Sequence, residues 1–209
     1  MNKGFVTFSD QKYLPLLEVL LDGLDTISAY PVEVFTTGFT LKNRWSKVRA
    51  YRVHTKFTSI FQLKIYAASR SSFDYAVMLD ADSVPNLNAD KLIEAAELFE
   101  RPYPLMTKHG CPPQNWHALM KRLGVKTETL PYGQATFLFS KSSRPFMTEC
   151  DRIFTKLMEE EHWPPNWDET LLNVMLWRAN ASAQVNAYNC FEGVSTSYFE
   201  ENPPGKSEG

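Results

Sequence analysis

Apolar residues along this chain fall into short buried-strand runs separated by longer stripes at helical spacing. Phe5-Val6-Thr7-Phe8 reads as the core of a first strand over residues 4–8. Leu14, Leu16, Leu17, Leu20, Leu21 and Leu24 then form a broad apolar face with the period of a helix. A turn at Tyr30-Pro31 precedes a second predicted strand over residues 32–36, and strand, helix, strand is the opening of an α/β unit. From residue 58 to 69 the positions Phe61, Ile65 and Ala68 again recur at helical spacing. After the break Ser71-Ser72 comes a strand over residues 75–79, Tyr75-Ala76-Val77-Met78-Leu79. This predicts a second crossover, with Asp80 and Asp82 at its outlet.

The second half continues in the same style. Residues 89–99 predict a helix stopped before Pro102, and Leu105-Met106-Thr107 a brief strand. Pro112-Pro113 and Gly124 interrupt residues 109–130, leaving a short helical segment with Trp116, Leu119, Met120 and Leu123, a candidate acceptor-side insertion. A buried strand is predicted over residues 134–139 and an amphipathic helix over 146–158. Trp163-Pro164-Pro165 must end that helix, because proline cannot continue its hydrogen bonding. Asn166-Trp167-Asp168 offers a cap for a helix over residues 169–178, whose inward positions are Leu171, Leu172, Met175 and Leu176. A last strand is predicted over residues 182–187. The fold class expected is α/β, a mostly parallel central sheet flanked by helices, in one domain over residues 1–198. Residues 199–209 lack an apolar period and read as a flexible tail or a linker to further domains.

Composition narrows the function. At 209 residues, 44% apolar, the chain can bury the core of one large domain. Its formal charge is −2 and no Lys or Arg block exceeds two residues, so a nucleic-acid partner is not expected. Cys111, Cys150 and Cys190 are odd in number and far apart, which argues against a disulfide scaffold or a cysteine zinc site. There is no secretory h-region after Met1 and no apolar run approaching the roughly 20 residues of a membrane span. A soluble cytoplasmic protein without a transmembrane segment is the expectation. Gly23, Gly110 and Gly124 form no dinucleotide fingerprint, which disfavours a hydride-transferring dehydrogenase.

The chemistry is expected at Asp80-Ala81-Asp82. Carboxylates commonly end strands because they favour turns and solvent. Two of them closing a buried strand also make a hard oxygen pair suited to Mg²⁺ or Mn²⁺ bridged to phosphates. A nucleoside diphosphate would then supply further oxygens, so that metal and donor bind cooperatively.

Four features in order resemble the GT-A glycosyltransferases, and among them the retaining family of glycogenin and the lipopolysaccharide galactosyltransferases. They are Phe5-Val6-Thr7-Phe8-Ser9-Asp10; Lys64 ahead of the Asp80-Ala81-Asp82 strand; Tyr132-Gly133-Gln134-Ala135-Thr136-Phe137-Leu138-Phe139-Ser140; and Asp168-Glu169-Thr170-Leu171-Leu172-Asn173. The resemblance implies a GT-A fold and hexosyl or deoxyhexosyl transfer from a UDP-sugar to a hydroxyl of a glycan or glycoconjugate acceptor, with retention. It assigns the nucleotide to the loop at Thr7, Phe8 and Ser9, the metal to Asp80 and Asp82, and the donor's surroundings to Lys64, Ala81 and Gln134. It gives Asp168 the hydroxyls of the transferred sugar and Glu169 the position facing the anomeric carbon. The family usually has glutamine at the position of Glu169 and a second aspartate at that of Thr170. Glucose, galactose and L-rhamnose all remain open as donors.

Other residues carry two readings each. Lys64 either snorkels over the core or turns its ammonium to the sheet edge. Among Arg49, Arg52, His54 and Lys56, Arg52 is favoured for the donor because its forked guanidinium suits phosphate. Asp168 and Glu169 also suit a helix start on structural grounds alone. Trp116, Tyr132, Trp163 and Trp167 could stack on sugars or simply pack. The family's late histidine motif is missing, since His54, His109, His117 and His162 all precede residue 163. Asn189 or Glu192 could approach in its place, and the gap leaves open a non-catalytic sugar-nucleotide binder. A metal-dependent nucleotidyltransferase is the enzymatic alternative, although no basic glycine-rich phosphate loop is present.

Overall fold

The computed structural model describes residues 1–42, 44–54, 59–98, 101–109, 115–128, 132–160, 168–181, 185–186 and 194–195. Lys56, Cys111, His162, Trp163, Trp167, Asn189, Cys190, Glu192 and the tail 199–209 lie outside them.

The chain lays down β1 (Lys3–Ser9), α1 (Leu14–Ile27), β2 (Val32–Thr37), β3 (Val48–Val53), α2 (Ile60–Arg70) and β4 (Tyr75–Met78). It continues through β5 (Val84–Pro85), α3 (Ala89–Leu98), β6 (Leu105–His109), α4 (Trp116–Leu123) and β7 (Tyr132–Ser140). It then adds α5 (Arg144–Glu159), α6 (Asp168–Arg178), β8 (Val185–Asn186) and β9 (Val194–Ser195). Seven strands form one sheet in the order β3-β2-β1-β4-β7-β6-β8, and β5 pairs with β9 apart from it. β3, β2, β1 and β4 are mutually parallel, β7 runs against both β4 and β6, and β8 is parallel to β6. Only β7 is therefore reversed. The mostly parallel sheet flanked by helices is as the sequence predicts and is consistent with a GT-A-like arrangement.

Strand periodicity divides the core into two layers. Val6, Phe8, Phe35, Ala76, Met78, Phe137 and Phe139 meet α2, α5 and α6 on one face. Phe5, Val32, Val34, Val77, Leu79 and Leu138 meet α1 and α3 on the other, where Leu17, Leu20, Leu21 and Leu24 are the buried stripe of α1. The connection β1 to β2 thus passes over one face and β3 to β4 over the other. A parallel sheet whose neighbouring strands send their chains to opposite faces opens a crevice at their carboxyl ends. Here that place lies between β1 and β4.

Two departures from expectation have a common cause. β3 was not predicted, since Val48-Arg49-Ala50-Tyr51-Arg52-Val53 has no apolar run: it is an edge strand with Arg49 through Arg52 all exposed. Edge strands need not bury both faces, and charges on them discourage further pairing. The β5–β9 pair is two residues long and leaves no periodic signal. Cys150 is buried on α5, where burial pushes its thiol well above the ordinary range, consistent with an inert core cysteine.

β7 outruns β4: Met78 pairs with Phe137, and residues 132–136 extend past it. There Asn173 of α6 takes the place of a strand. Its Oδ1 accepts from Gly133 N–H at 2.8 Å, and its Nδ2 donates to Gly133 C=O at 2.8 Å and to Glu169 C=O at 2.9 Å. The opposite side of Gly133 is just as tight, since a Cβ there would lie 2.6 Å from Met106 Cβ. Gly133→Ala should therefore destabilise the fold by about 1–3 kcal/mol through overpacking, read as a lowered urea midpoint with unchanged m-value.

Candidate functional site

Three elements meet at the crevice. β4 ends at Met78, and the Asp80 C=O accepts from Ser83 N–H at 3.0 Å, closing a turn that displays Asp80 and Asp82 at the sheet edge. α2 is capped by Ser59, whose hydroxyl accepts from the Phe61 N–H, and it carries Lys64 in its first turns on its inward side. α6 is buried along nearly its whole length and starts with Asp168. The result is an ammonium between two carboxylates. Lys64 Nζ lies 2.7 Å from Asp80 Oδ1 and 3.1 Å from Asp168 Oδ2. The Lys64 side chain is 2% exposed, that of Asp168 6% and that of Asp80 30%, so the cluster opens to solvent through Asp80.

Burial alone would depress the Lys64 pKa, but the Asp168 and Asp80 carboxylates more than offset it and the net shift is upward. Lys64 is therefore charged at every physiological pH. Burial pushes the Asp168 carboxyl upward, with Lys64 pulling against it and Asp80 adding to it. Asp168 Oδ2 makes no well-aligned hydrogen bond among the described residues even though it is ion-paired at 3.1 Å. The contact is ionic, and this oxygen is closed off from solvent. The Asp168 carboxylate also accepts from the Glu169 N–H, so the structural and functional readings of this residue coexist.

The remaining sequence-predicted residues divide. Phe8 and Ser9 end β1 beside the cluster: the Phe8 ring lies under the ammonium, 5.6 Å from Nζ, and the Ser9 hydroxyl donates to the Asp10 C=O. Thr7 is fully buried and its Oγ1 has no hydrogen-bond partner among the described residues. Ala81 is buried between the two acids, Gln134 is half-buried on β7, and Glu169 is half-buried beside Asp168. Arg52 stands elsewhere, on β3, two strands from β1, donating to Thr40 Oγ1 at 3.2 Å. His54 is exposed just after that strand. Trp116 and Tyr132 pack with Trp177, at centroid distances of 5.7 to 5.9 Å, and His117 stacks on Trp116 at 3.5 Å.

Of the two readings of Lys64, the ammonium turns to the sheet edge, where it meets the Asp80 carboxylate, and it is buried there rather than snorkelling to solvent. Sequence reasoning also passed over Asn173. Its signal was present: a carboxamide one helical turn after Glu169, among the inward residues of α6.

Asp80 and Asp82 are the residues that could hold a divalent ion. The donor chemistry, hard carboxylate oxygen, fits Mg²⁺ or Mn²⁺. Among the described residues no group of three or more His, Cys, Asp or Glu is assembled, and one Asp80 oxygen already faces Lys64. Such an ion fits only if its ligand supplies most of the remaining oxygens.

Lys64→Met should strand the Asp168 carboxyl next to Asp80, destabilising the protein by about 3–5 kcal/mol at neutral pH. The Asp168 pKa in the folded variant would rise further above its unfolded value near ~3.9. The folded state then holds the extra proton, so stability falls as pH rises through that window. The deficit should shrink when urea denaturation is repeated near pH 4, and Lys64→Met/Asp168→Asn should recover much of it at pH 7.

Among the described residues no helix is long and apolar enough to cross a membrane. A comparison with curated proteins finds no match. Residues 2–101 match the family model described as "Mannosyltransferase putative". That span holds β1 to α3, and with them Thr7, Phe8, Ser9, Lys64, Asp80 and Asp82. The match supports a glycosyltransferase, a transferase that works between a sugar donor and a glycan acceptor.

Proposed function

We propose that this chain is a metal-dependent glycosyltransferase that moves a hexosyl group from a nucleoside diphosphate sugar to a hydroxyl of a saccharide, with the anomeric configuration retained. The observation that carries this reading is the Lys64 ammonium buried between Asp80 and Asp168 at the crevice between β1 and β4. A buried cation beside an acidic strand outlet suits a departing diphosphate, and the Asp168 carboxylate that it holds in place suits the hydroxyls of a sugar.

In this reading Asp80 and Asp82 hold Mn²⁺ or Mg²⁺. The bound ion neutralises charge on the leaving diphosphate. Lys64 adds a fixed positive charge that needs no reorganisation during the reaction, which is where a buried group is most effective. Asp168 orients the transferred sugar through its hydroxyls. Glu169, next in α6, stabilises the positive charge that develops at the anomeric carbon. The acceptor hydroxyl attacks from the face the diphosphate leaves, and the diphosphate oxygen takes its proton. A glutamate in place of the family's usual glutamine strengthens charge stabilisation without requiring a covalent intermediate. Residues 1–198 act as one catalytic domain. UDP-sugars are the donors expected from the sequence, and the family description adds mannose to the sugars worth testing.

The test is a mass-spectrometric screen with Mn²⁺, oligosaccharide acceptors and a donor panel of UDP-glucose, UDP-galactose, UDP-rhamnose and nucleoside diphosphate mannose. Asp82→Ala and Asp168→Asn should each lower transfer by about 10²-fold or more while the thermal midpoint stays measurable and cooperative. NMR of the product should show a retained anomeric centre. Donor binding without transfer to any acceptor would favour a non-catalytic binder, and release of pyrophosphate from a nucleoside triphosphate would favour a nucleotidyltransferase.

A further inference from the structure

We propose that the outer edge of β3 is a docking site for an extended acidic segment of a partner polypeptide, which joins the sheet as a further strand. The proposal does not rest on the transferase reading, since β3 lies two strands from β1 and the crevice.

Charge is laid out unevenly along this chain. Its formal net charge is −2, yet no Asp or Glu occurs from residue 34 to residue 73, the stretch that holds β3. The cations there divide by what they touch. Lys64 is buried with Asp80 and Asp168, Arg44 pairs with Asp22 at 2.9 Å, and Lys47 donates to the backbone carbonyls of Asp25 and Ser28. Arg49 and Arg52 stand on β3 itself, and both are exposed. Glu33, the register neighbour of Arg49 on β2, offsets part of its charge, but it is fully buried and engaged by Ser72 and Tyr51.

β3 is the outermost strand of its sheet and pairs with β2 along its whole length. The outer side of such a strand presents backbone N–H and C=O groups that an incoming strand can satisfy. Side chains alternate between the faces. Val48 packs on the α1 face, and Tyr51 stacks on Phe35 on the α2 face with ring centroids 5.1 Å apart. Arg52 therefore shares the face of Val48, where it reaches Thr40, and Arg49 shares that of Tyr51, whose ring is 40% exposed. One guanidinium thus flanks the edge on each side. A flat phosphate-bearing surface is best met by cations gathered on one face, whereas a strand laid along the edge meets both faces, because its own side chains alternate in step. Acids three residues apart in the partner would fall one to each face, opposite the two arginines. The charges that turn away a basic or uncharged strand admit an acidic one, so the edge is selective rather than closed. Arginine and tyrosine are also the side chains enriched where proteins bind one another.

The probe is the fluorescein-labelled peptide Thr-Val-Glu-Val-Thr-Glu-Val-Thr, titrated against the full chain and followed by anisotropy. Its controls are the same peptide with lysine for both glutamates and the same peptide N-methylated at alternate residues, which cannot complete a ladder. The glutamate peptide should bind about tenfold more tightly than either control, and amide hydrogen exchange should slow over residues 48–53 when it is bound. Arg49→Glu/Arg52→Glu should lose the glutamate peptide and take the lysine peptide. Should that variant fail to fold, Arg52→Glu alone, on the face away from Tyr51, should still weaken the glutamate peptide by about threefold. Unchanged exchange at β3, equal affinity for the N-methylated peptide, or binding that survives charge reversal overturns the proposal. Binding of phosphatidylserine vesicles or a single-stranded oligonucleotide through the same arginines, without slowed exchange in β3, marks a general polyanion surface and overturns it too. If Glu200→Lys/Glu201→Lys raises the affinity for the glutamate peptide, the occupant is this chain's own acidic tail and the partner assignment falls.

Discussion

An ammonium withdrawn from water must be matched by anions, and in this protein that requirement ties three separate elements together. Lys64 comes from the first inward turn of α2, Asp80 from the outlet of β4, and Asp168 from the first residue of α6. Lys64 and Asp168, both buried, depend on this pairing most, while Asp80 keeps contact with solvent. Removing the lysine leaves two facing acids, and removing either acid leaves a buried cation under-compensated. A buried ion pair of this kind adds little net stability compared with an apolar core, because desolvation consumes most of the attraction. This one sits at the crevice between β1 and β4, where the chain connections leave to opposite faces of the sheet.

Precision at that point depends on α6, and α6 is fixed by an unusual contact. β7 runs beyond its partner β4, which exposes backbone groups of Gly133 that a buried site cannot leave unpaired. Asn173 satisfies both and also binds the Glu169 carbonyl one turn earlier. Because a carboxamide presents a donor and an acceptor side by side, it mimics a strand neighbour and locks the helix in rotation as well as in height. Rotation matters here: Asp168 and Asn173 are five residues apart, so a shift that frees Asn173 also moves Asp168 off Lys64. Gly133 permits the approach by having no side chain on the face that Met106 fills.

Much of this arrangement was legible from periodicity. β1, β2, β4 and β7, with α1, α2, α3, α5 and α6, all fall where apolar spacing places them, because each buries one face against the sheet and that burial imposes its period. β3 and the β5–β9 pair escape detection because neither is long and apolar enough to have a period. Asp80 and Asp82 were visible from their place after a buried strand. The setting of Lys64 was not, since its spacing on α2 is equally compatible with a snorkelling side chain, and only a distant acid decides between the two. Asp168 was legible as a helix-start acid, which is a sufficient reason locally, and the lysine that also engages it lies far earlier in the chain. Arg52 was legible only as a guanidinium suited to phosphate, and parallel register sets it on the outer strand β3, beside Thr40.

The family match and the buried cluster divide the molecule in an instructive way. Residues 2–101 comprise the parallel half of the sheet, β3-β2-β1-β4, with α1, α2 and α3, and they contain the strand outlet and the lysine. Asp168, Glu169, Asn173 and Gly133 belong to the other half, built around the reversed strand β7. A first half that ended with Lys64 paired to Asp80 alone would keep an incompletely compensated ammonium. The second half supplies the missing carboxylate, Asp168, which is the side chain proposed above to orient the sugar. Charge balance thus joins the half that would hold the leaving group to the half that would choose what is transferred. It follows that substitutions at Asp168 should alter the electrostatic setting of Asp80 without touching it, because Lys64 is shared between them.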